Sequence, residues 1–248
     1  MWLLLTILYG ILDLAIGAII YLPLSMIKLV SKKPLDETLF RVKPNVDRAI
    51  LLIHGSGASE IQFMISRKII DNIMKKEGKV YRVYSCDLSN TYIHDRKLGI
   101  EDYVTVASKY LVEISRRDNL REVVVIGHSM GGLVAAELAS KHYQVKKVIT
   151  IGTPLNGAPL LKTIGGCKPT KRHKQMTPGS EYLKKLKDTI LVAKYPLLCI
   201  GAEYDFQVPK QYAHMYGMMT ATNMAVPFSH VTIILAPSTW EKIFSYLD

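Results

Sequence analysis

The chain has few cysteines and few acids. Its cysteines, Cys86, Cys167 and Cys199, are three in number and widely spaced. None lies in a CxxC pair or a Cys/His cluster, so neither a disulfide framework nor a zinc site is implied. They read as free thiols. Cys199, inside the apolar run Tyr195-Pro196-Leu197-Leu198-Cys199-Ile200, reads as a small buried hydrophobe, which points to a reducing compartment. No metal and no cofactor is called for. There is no internal repeat and no nucleic-acid-binding module, so no nucleic-acid partner is expected. The 248 residues, 49% of them apolar, suit one domain with a sizeable core and leave room for little else.

Acids number 21 against 32 lysines and arginines, a formal charge of +11. The excess is concentrated. Residues 158–187 hold Lys162, Lys168, Lys171, Arg172, Lys174, Lys184, Lys185 and Lys187 against Glu181 alone, a net +7. A stripe of this kind faces an anionic membrane or nucleic acid, or is simply a solvated loop and helix face.

Residues 2–27 are almost unbroken apolar sequence in which Asp13 is the one charge before the lysines begin at Lys28. As a single helix they would extend ~39 Å, more than the ~30 Å of a bilayer's hydrocarbon core. No basic stretch precedes them and no small-x-small site follows, which argues against a cleaved signal. An uncleaved membrane anchor over residues 1–30 is therefore expected. Lys28, Lys32, Lys33, Arg41 and Lys43 follow it, and the positive-inside rule then leaves the rest of the chain on the cytoplasmic side. Asp13 would cost about 2.5–3.5 kcal/mol near mid-span, and Pro23 would disturb the last turns.

Residues 31–48 read as a linker, and an α/β pattern begins at residue 49. Strands are predicted at 49–53, 80–85, 123–126, 145–151, 195–201 and 223–227. Helices are predicted at 60–76, 100–116, 130–141, 180–186 and 238–247. Alternation of this kind predicts a mostly parallel sheet covered by helices on both faces. The rhythm breaks at 153–194, a long basic insertion of the sort that often carries function.

Gly127-His128-Ser129-Met130-Gly131 is a GxSxG pentapeptide, set between the β-branched run 123–126 and a helix-like stretch. By itself the pattern is as often structural as functional. Between a strand and a helix it is a nucleophile elbow, in which Gly127 and Gly131 let the two elements pass closely and Ser129 stands clear of the sheet. Here the chain resembles the α/β-hydrolase superfamily, and the form GHSMGG resembles its lipase and esterase branches. Two more segments support that resemblance: Gly152-Thr153-Pro154-Leu155-Asn156-Gly157 is similar to the GTPxxG segment after the sixth strand of many lipases, and Pro178-Gly179-Ser180-Glu181-Tyr182-Leu183 to their PGSxFL helix start. On that pattern the insertion 153–194 would be a lid, and residues 49–248 the hydrolase domain.

A serine hydroxyl needs a base, and the base needs an acid to fix its tautomer. The resemblance implies the order Ser, acid, His. Asp205, in Gly201-Ala202-Glu203-Tyr204-Asp205-Phe206-Gln207-Val208-Pro209, matches the family's acid position, with Glu203 as runner-up; His230, ahead of the closing helix, matches the base. The oxyanion hole would use the N–H groups of Met130 and Ser56, the latter in the HGxG-like loop His54-Gly55-Ser56-Gly57, whose glycines Gly55 and Gly57 allow backbone to approach substrate. The expected activity is that of a membrane-anchored serine hydrolase of carboxylic esters, lipid esters fitting best. An acyl-thioesterase or protein deacylase would use the same triad, and a non-catalytic tethered scaffold would keep only the fold.

Overall fold

The computed structural model describes residues 2–16, 19, 46–88, 97–163 and 169–248. Its centre is a six-stranded, wholly parallel sheet of β1 (Arg48–Ile53), β2 (Arg82–Cys86), β3 (Glu122–His128), β4 (Val145–Ile151), β5 (Leu197–Ala202) and β6 (Ala221–Val226), in the order β2-β1-β3-β4-β5-β6. Six strands and five predicted helices appear where the alternation put them, with ends shifted by a few residues. The strand before the insertion, expected as the sixth on the lipase pattern, is the fourth in this chain.

Central strands read as continuous apolar runs because both faces are covered. Their period of two divides the core. Leu51, Ile53, Val123, Val125, Leu197 and Cys199 face one side, against α3 (Ile100–Asp118), α4 (Met130–Ala139) and α7 (Glu181–Ala193). Ile50, Leu52, Val124, Ile126, Leu198 and Ile200 face the other, against α2 (Met64–Glu77), α9 (Thr232–Leu235) and α10 (Pro237–Leu247), while the short helix α8 (Lys210–Ala213) packs beside β5. Trp240 and Phe244 of α10 are fully buried there. A 3-10 turn, Glu60–Phe63, leads into α2, so the predicted helix 60–76 begins with a tighter turn.

The last part of the insertion is built into the core. Short helices α5 (Leu160–Thr163) and α6 (Lys171–Gln175) lead to α7, which is longer than predicted and buries Leu183, Leu186 and Ile190 in the core. Ser180 caps it by accepting the Leu183 N–H at 3.3 Å, and α7 ends at Lys194, in a left-handed conformation (φ 51°) two residues before Pro196. It runs past residue 186 because packing against α4 outweighs the modest helix propensity of the β-branched Thr189 and Ile190.

The N-terminal expectation also changes. Helix α1 (Trp2–Ile16) is 15 residues long, ~22 Å, and no helix among the described residues is long and apolar enough to cross a membrane. Apart from Ile19, the rest of the predicted anchor and the linker to residue 45 lie outside the described residues. Helix α1 lies on the domain. Tyr9 stacks on Tyr204 with ring centroids 4.7 Å apart and planes 4° from parallel, Gly10 sits against the Phe206 ring, and Asp13 is buried.

Candidate active site

Carboxyl ends of four neighbouring strands meet at one place, where ligands of open α/β sheets gather. Ser129 follows β3, Gly152 follows β4, Asp205 lies three residues past β5, and His230 lies four past β6. Ser129 is at φ 53° and ψ −127°, a strained position for a residue with a side chain. The strain is held by close packing: a side chain on Gly127 would collide with the Gly131 carbonyl, and one on Gly131 with the carbonyls of Ile53 and His54. The Ser129 N–H is anchored on the Ile151 carbonyl at 2.9 Å.

Ser129 Oγ lies 3.0 Å from His230 Nε2, and His230 Nδ1 lies 2.6 Å from Asp205 Oδ2. Asp205 is 4% exposed, and its second oxygen, Oδ1, accepts the N–H groups of Gln207 (2.9 Å) and Val208 (2.8 Å). The carboxylate is thereby fixed from both sides. Burial by itself would push the His230 imidazole down, but the charge and hydrogen bond of Asp205, helped by the charge of Asp13, outweigh it and leave the ring above its ordinary value. Glu203 points elsewhere and accepts Lys210 Nζ at 2.5 Å.

Around these three runs a second set of bonds. His128 is buried, and that burial, with the adjacent His230 charge, depresses its pKa to about 3. As a neutral ring it donates from Nε2 to the His230 carbonyl at 2.8 Å and accepts on Nδ1 from Gln62 Nε2 at 3.0 Å. The Gln62 carbonyl oxygen in turn accepts the Gly55 N–H at 2.9 Å. His54 orders the same loop, donating to the Gly55 carbonyl (2.9 Å) and accepting the Leu88 N–H (2.8 Å). Gly55 rides close over Ser129, where an added Cβ would be 3.1 Å from Ser129 Cβ. Its N–H is occupied, and the next residue, Ser56, is exposed. Gly57 turns the loop at φ 74°. Met130 opens α4, so its N–H has no partner within the helix.

Three residues near this site escaped the sequence reading as contributors. Gln62 had no signal beyond its place after the first strand, since its partners are set by the fold. Gly152, at φ 55°, lies under the histidine and acid: a Cβ there would be 3.3 Å from His230 Nδ1 and 3.5 Å from Asp205 Oδ2. Asp13 did carry a signal, as the lone charge of an apolar segment, but its partners Ser229 and Val231 lie more than two hundred residues away. Among the described residues no cluster of His, Cys, Asp and Glu could hold a metal ion.

Known proteins carry the same architecture. A lipase-esterase related protein from Clostridium acetobutylicum superposes with a TM-score of 0.61 at 14% identity, over 84% of this chain and 97% of that one. A bacterial membrane phospholipase A superposes with a TM-score of 0.58 at 16% identity, over 100% of this chain and 98% of that one. At such identities the likeness is one of fold, that of the α/β hydrolases. In sequence, the chain is 26% identical over 147 residues to the GPI inositol-deacylase of Candida albicans, a match that covers 57% of this chain and 33% of the deacylase's own length. The PGAP1-like alpha/beta domain family matches residues 46–243, which is the sheet, all four strand ends just described and most of the closing helix. The chain therefore belongs to the PGAP1-like alpha/beta domain family.

Proposed function

We propose that this protein is a serine hydrolase that removes acyl groups from lipid esters at a membrane surface. The observation that carries the reading is the hydrogen-bonded chain from Ser129 through His230 to Asp205, with the serine held in strained geometry at an elbow. Ser129 Oγ attacks the ester carbonyl while His230 Nε2 takes its proton, and Asp205 holds the Nδ1–H and stabilises the imidazolium. The Met130 and Ser56 N–H groups receive the oxyanion, each such donor being worth about 10²–10³ in rate. His230 returns the proton to the departing alcohol, and then draws one from water as water attacks the acyl-enzyme. The acid is released and Ser129 restored.

Substrate class rests on α1, the basic insertion and the relatives. Leu4, Ile7, Leu8, Ile11 and Leu12 are 43–62% exposed and fall at helical spacing, an apolar stripe turned away from the domain, as in helices that lie in the membrane interface. The net +7 of residues 158–187 favours anionic headgroups. Family membership and the matched deacylase support removal of an acyl group from a lipid headgroup as the reaction.

A fluorophosphonate should label the full-length protein and fail to label Ser129→Ala. Wild type would then be offered p-nitrophenyl esters, triglycerides, phospholipids and acyl thioesters. Hydrolysis of lipid esters on anionic vesicles faster than on neutral ones is expected. No labelling would overturn the hydrolase, thioester preference would replace the lipid substrate with a protein or coenzyme thioester, and equal rates on both vesicles would remove the electrostatic part.

A further inference from the structure

Helix α1 touches the chain neighbours of both charged members of the site. Tyr9 and Gly10 pack on Tyr204 and Phe206, the two residues that flank Asp205. One turn on, Asp13 reaches the two that flank His230: its Oδ1 accepts Ser229 Oγ–H at 2.5 Å and the Val231 N–H at 3.1 Å. Asp13 is 5% exposed, and among the described residues its Oδ2 is buried with no hydrogen-bond partner. A carboxylate in such a place is costly, and a leucine would hold the helix down better if holding it down were all that was required.

We propose that Asp13 is a positioning residue for the hydrolytic site, and that seating of α1 is what clamps the His230 loop and sets a second negative charge behind the base. The inference rests on the hydrolase reading for its kinetic consequence only. When His230 takes the serine proton it becomes an imidazolium, and the groups that face it are Asp205 from the loop after β5, Asp13 from α1, Ser129 at the elbow and the neutral His128 from the end of β3. Of these only the two carboxylates favour the charged ring. Burial, helped by the charge of Asp205, holds the Asp13 pKa above its ordinary value, against the pull of its bonds to Ser229 and Val231 and of the His230 charge. Asp13 is therefore most readily ionised when the imidazole is charged. The apolar stripe that leaves the domain thus belongs to the same helix that completes the site, so a surface that engages α1 acts on the base directly.

The test uses the full chain and three variants. Asp13→Asn keeps the acceptor for Ser229 and Val231 and removes the charge. Asp13→Leu removes both. Gly10→Leu pushes α1 off Phe206 with Asp13 intact. The His230 ring is titrated by ¹⁵N NMR, its signal identified by a His230→Gln control, and kcat/KM is followed against pH on a soluble p-nitrophenyl ester. Asp13→Asn should lower both the ring pKa and the acid limb of kcat/KM by about half a unit and reduce kcat by ~3–10-fold, and Asp13→Leu and Gly10→Leu should reduce kcat further, by ~10–100-fold. An unchanged His230 titration in Asp13→Asn overturns the inference, whether or not the rate falls, because a purely structural carboxylate would not move it. A shifted titration in a protein that hydrolyses no ester would sink the hydrolase reading and leave the coupling of Asp13 to His230 standing.

Discussion

Replacing Asp205 by asparagine tests the site with almost no change of shape. Asp205 has donors on both sides: the Gln207 and Val208 N–H groups meet Oδ1 at 2.9 and 2.8 Å, and the His230 Nδ1–H meets Oδ2 at 2.6 Å. Asparagine has one oxygen to offer. Two backbone donors against one ring donor decide its orientation, so the amide oxygen takes the Oδ1 position and the NH₂ faces His230. Nδ1 must then accept, which puts the ring proton on Nε2, pointed at Ser129 Oγ 3.0 Å away. An Nε2 that already carries a proton cannot take the serine's. The loss expected is ~10³–10⁴ in kcat/KM, about 4–5.5 kcal/mol of transition-state stabilisation at ~1.4 kcal/mol per decade. Hydrolysis of a p-nitrophenyl ester and the second-order rate of fluorophosphonate labelling should fall together, while the thermal midpoint moves little because the two backbone bonds are kept. Glu203→Gln, which breaks only the pairing with Lys210, should stay within about twofold of wild type. A loss under tenfold in folded Asp205→Asn, or an equal loss in Glu203→Gln, would refute the assignment of the acid.

Further outcomes follow from the same geometry. Gln62→Leu strands the Gly55 N–H and His128 Nδ1; kcat should fall by ~10–100-fold at nearly constant KM, with about 1–3 kcal/mol lost in urea unfolding. Ser129→Gly should end turnover yet raise the thermal midpoint by relieving φ 53°, worth about 1 kcal/mol, and an unchanged or lower midpoint would mean that the elbow is not strained. For His230, whose pKa is raised on folding, the unprotonated base appears only above the ordinary imidazole range. The kcat/KM profile should rise through that higher value, and the stability this histidine contributes should be present below about pH 6.5 and lost as pH climbs past its folded pKa. His128 runs the opposite way: its folded pKa near 3 means that unfolding takes up a proton between roughly pH 6.5 and 3, a slope of ~1.4 kcal/mol per pH unit that His128→Asn should remove from urea titrations compared at pH 6 and 4.5.

Much of this protein was legible because the relevant physics is local. The strand ends and the elbow glycines around Ser129 follow from patterns a few residues long, each with a steric reason that needs no partner from elsewhere, while Asp205 and His230 were picked out by the order that the α/β-hydrolase resemblance implies. Where the reading went wrong, a distant contact had the last word. The prediction ended α7 at residue 186, whereas burial against α4 carries the helix on to Ala193, and the far end of the insertion, with Leu183, Leu186 and Ile190, belongs to the core. At α1, hydropathy measured only how apolar the segment is. It could not report what its one acid would meet.

By itself, then, the amino-acid order determined the alternation of strand and helix, the parallel sheet and the serine at its elbow, since turns, caps and burial on two faces leave marks at fixed short spacings, and through its resemblance to a known family it named the acid and histidine to watch. Only the tertiary structure decided which polar groups hold them. Gln62 joins the loop of Gly55 to His128, and Asp13 joins the first helix to the residues around His230. Such bonds are set by how elements far apart in the chain come to lie within 3 Å, and a hydrogen bond has no periodicity to betray it in advance.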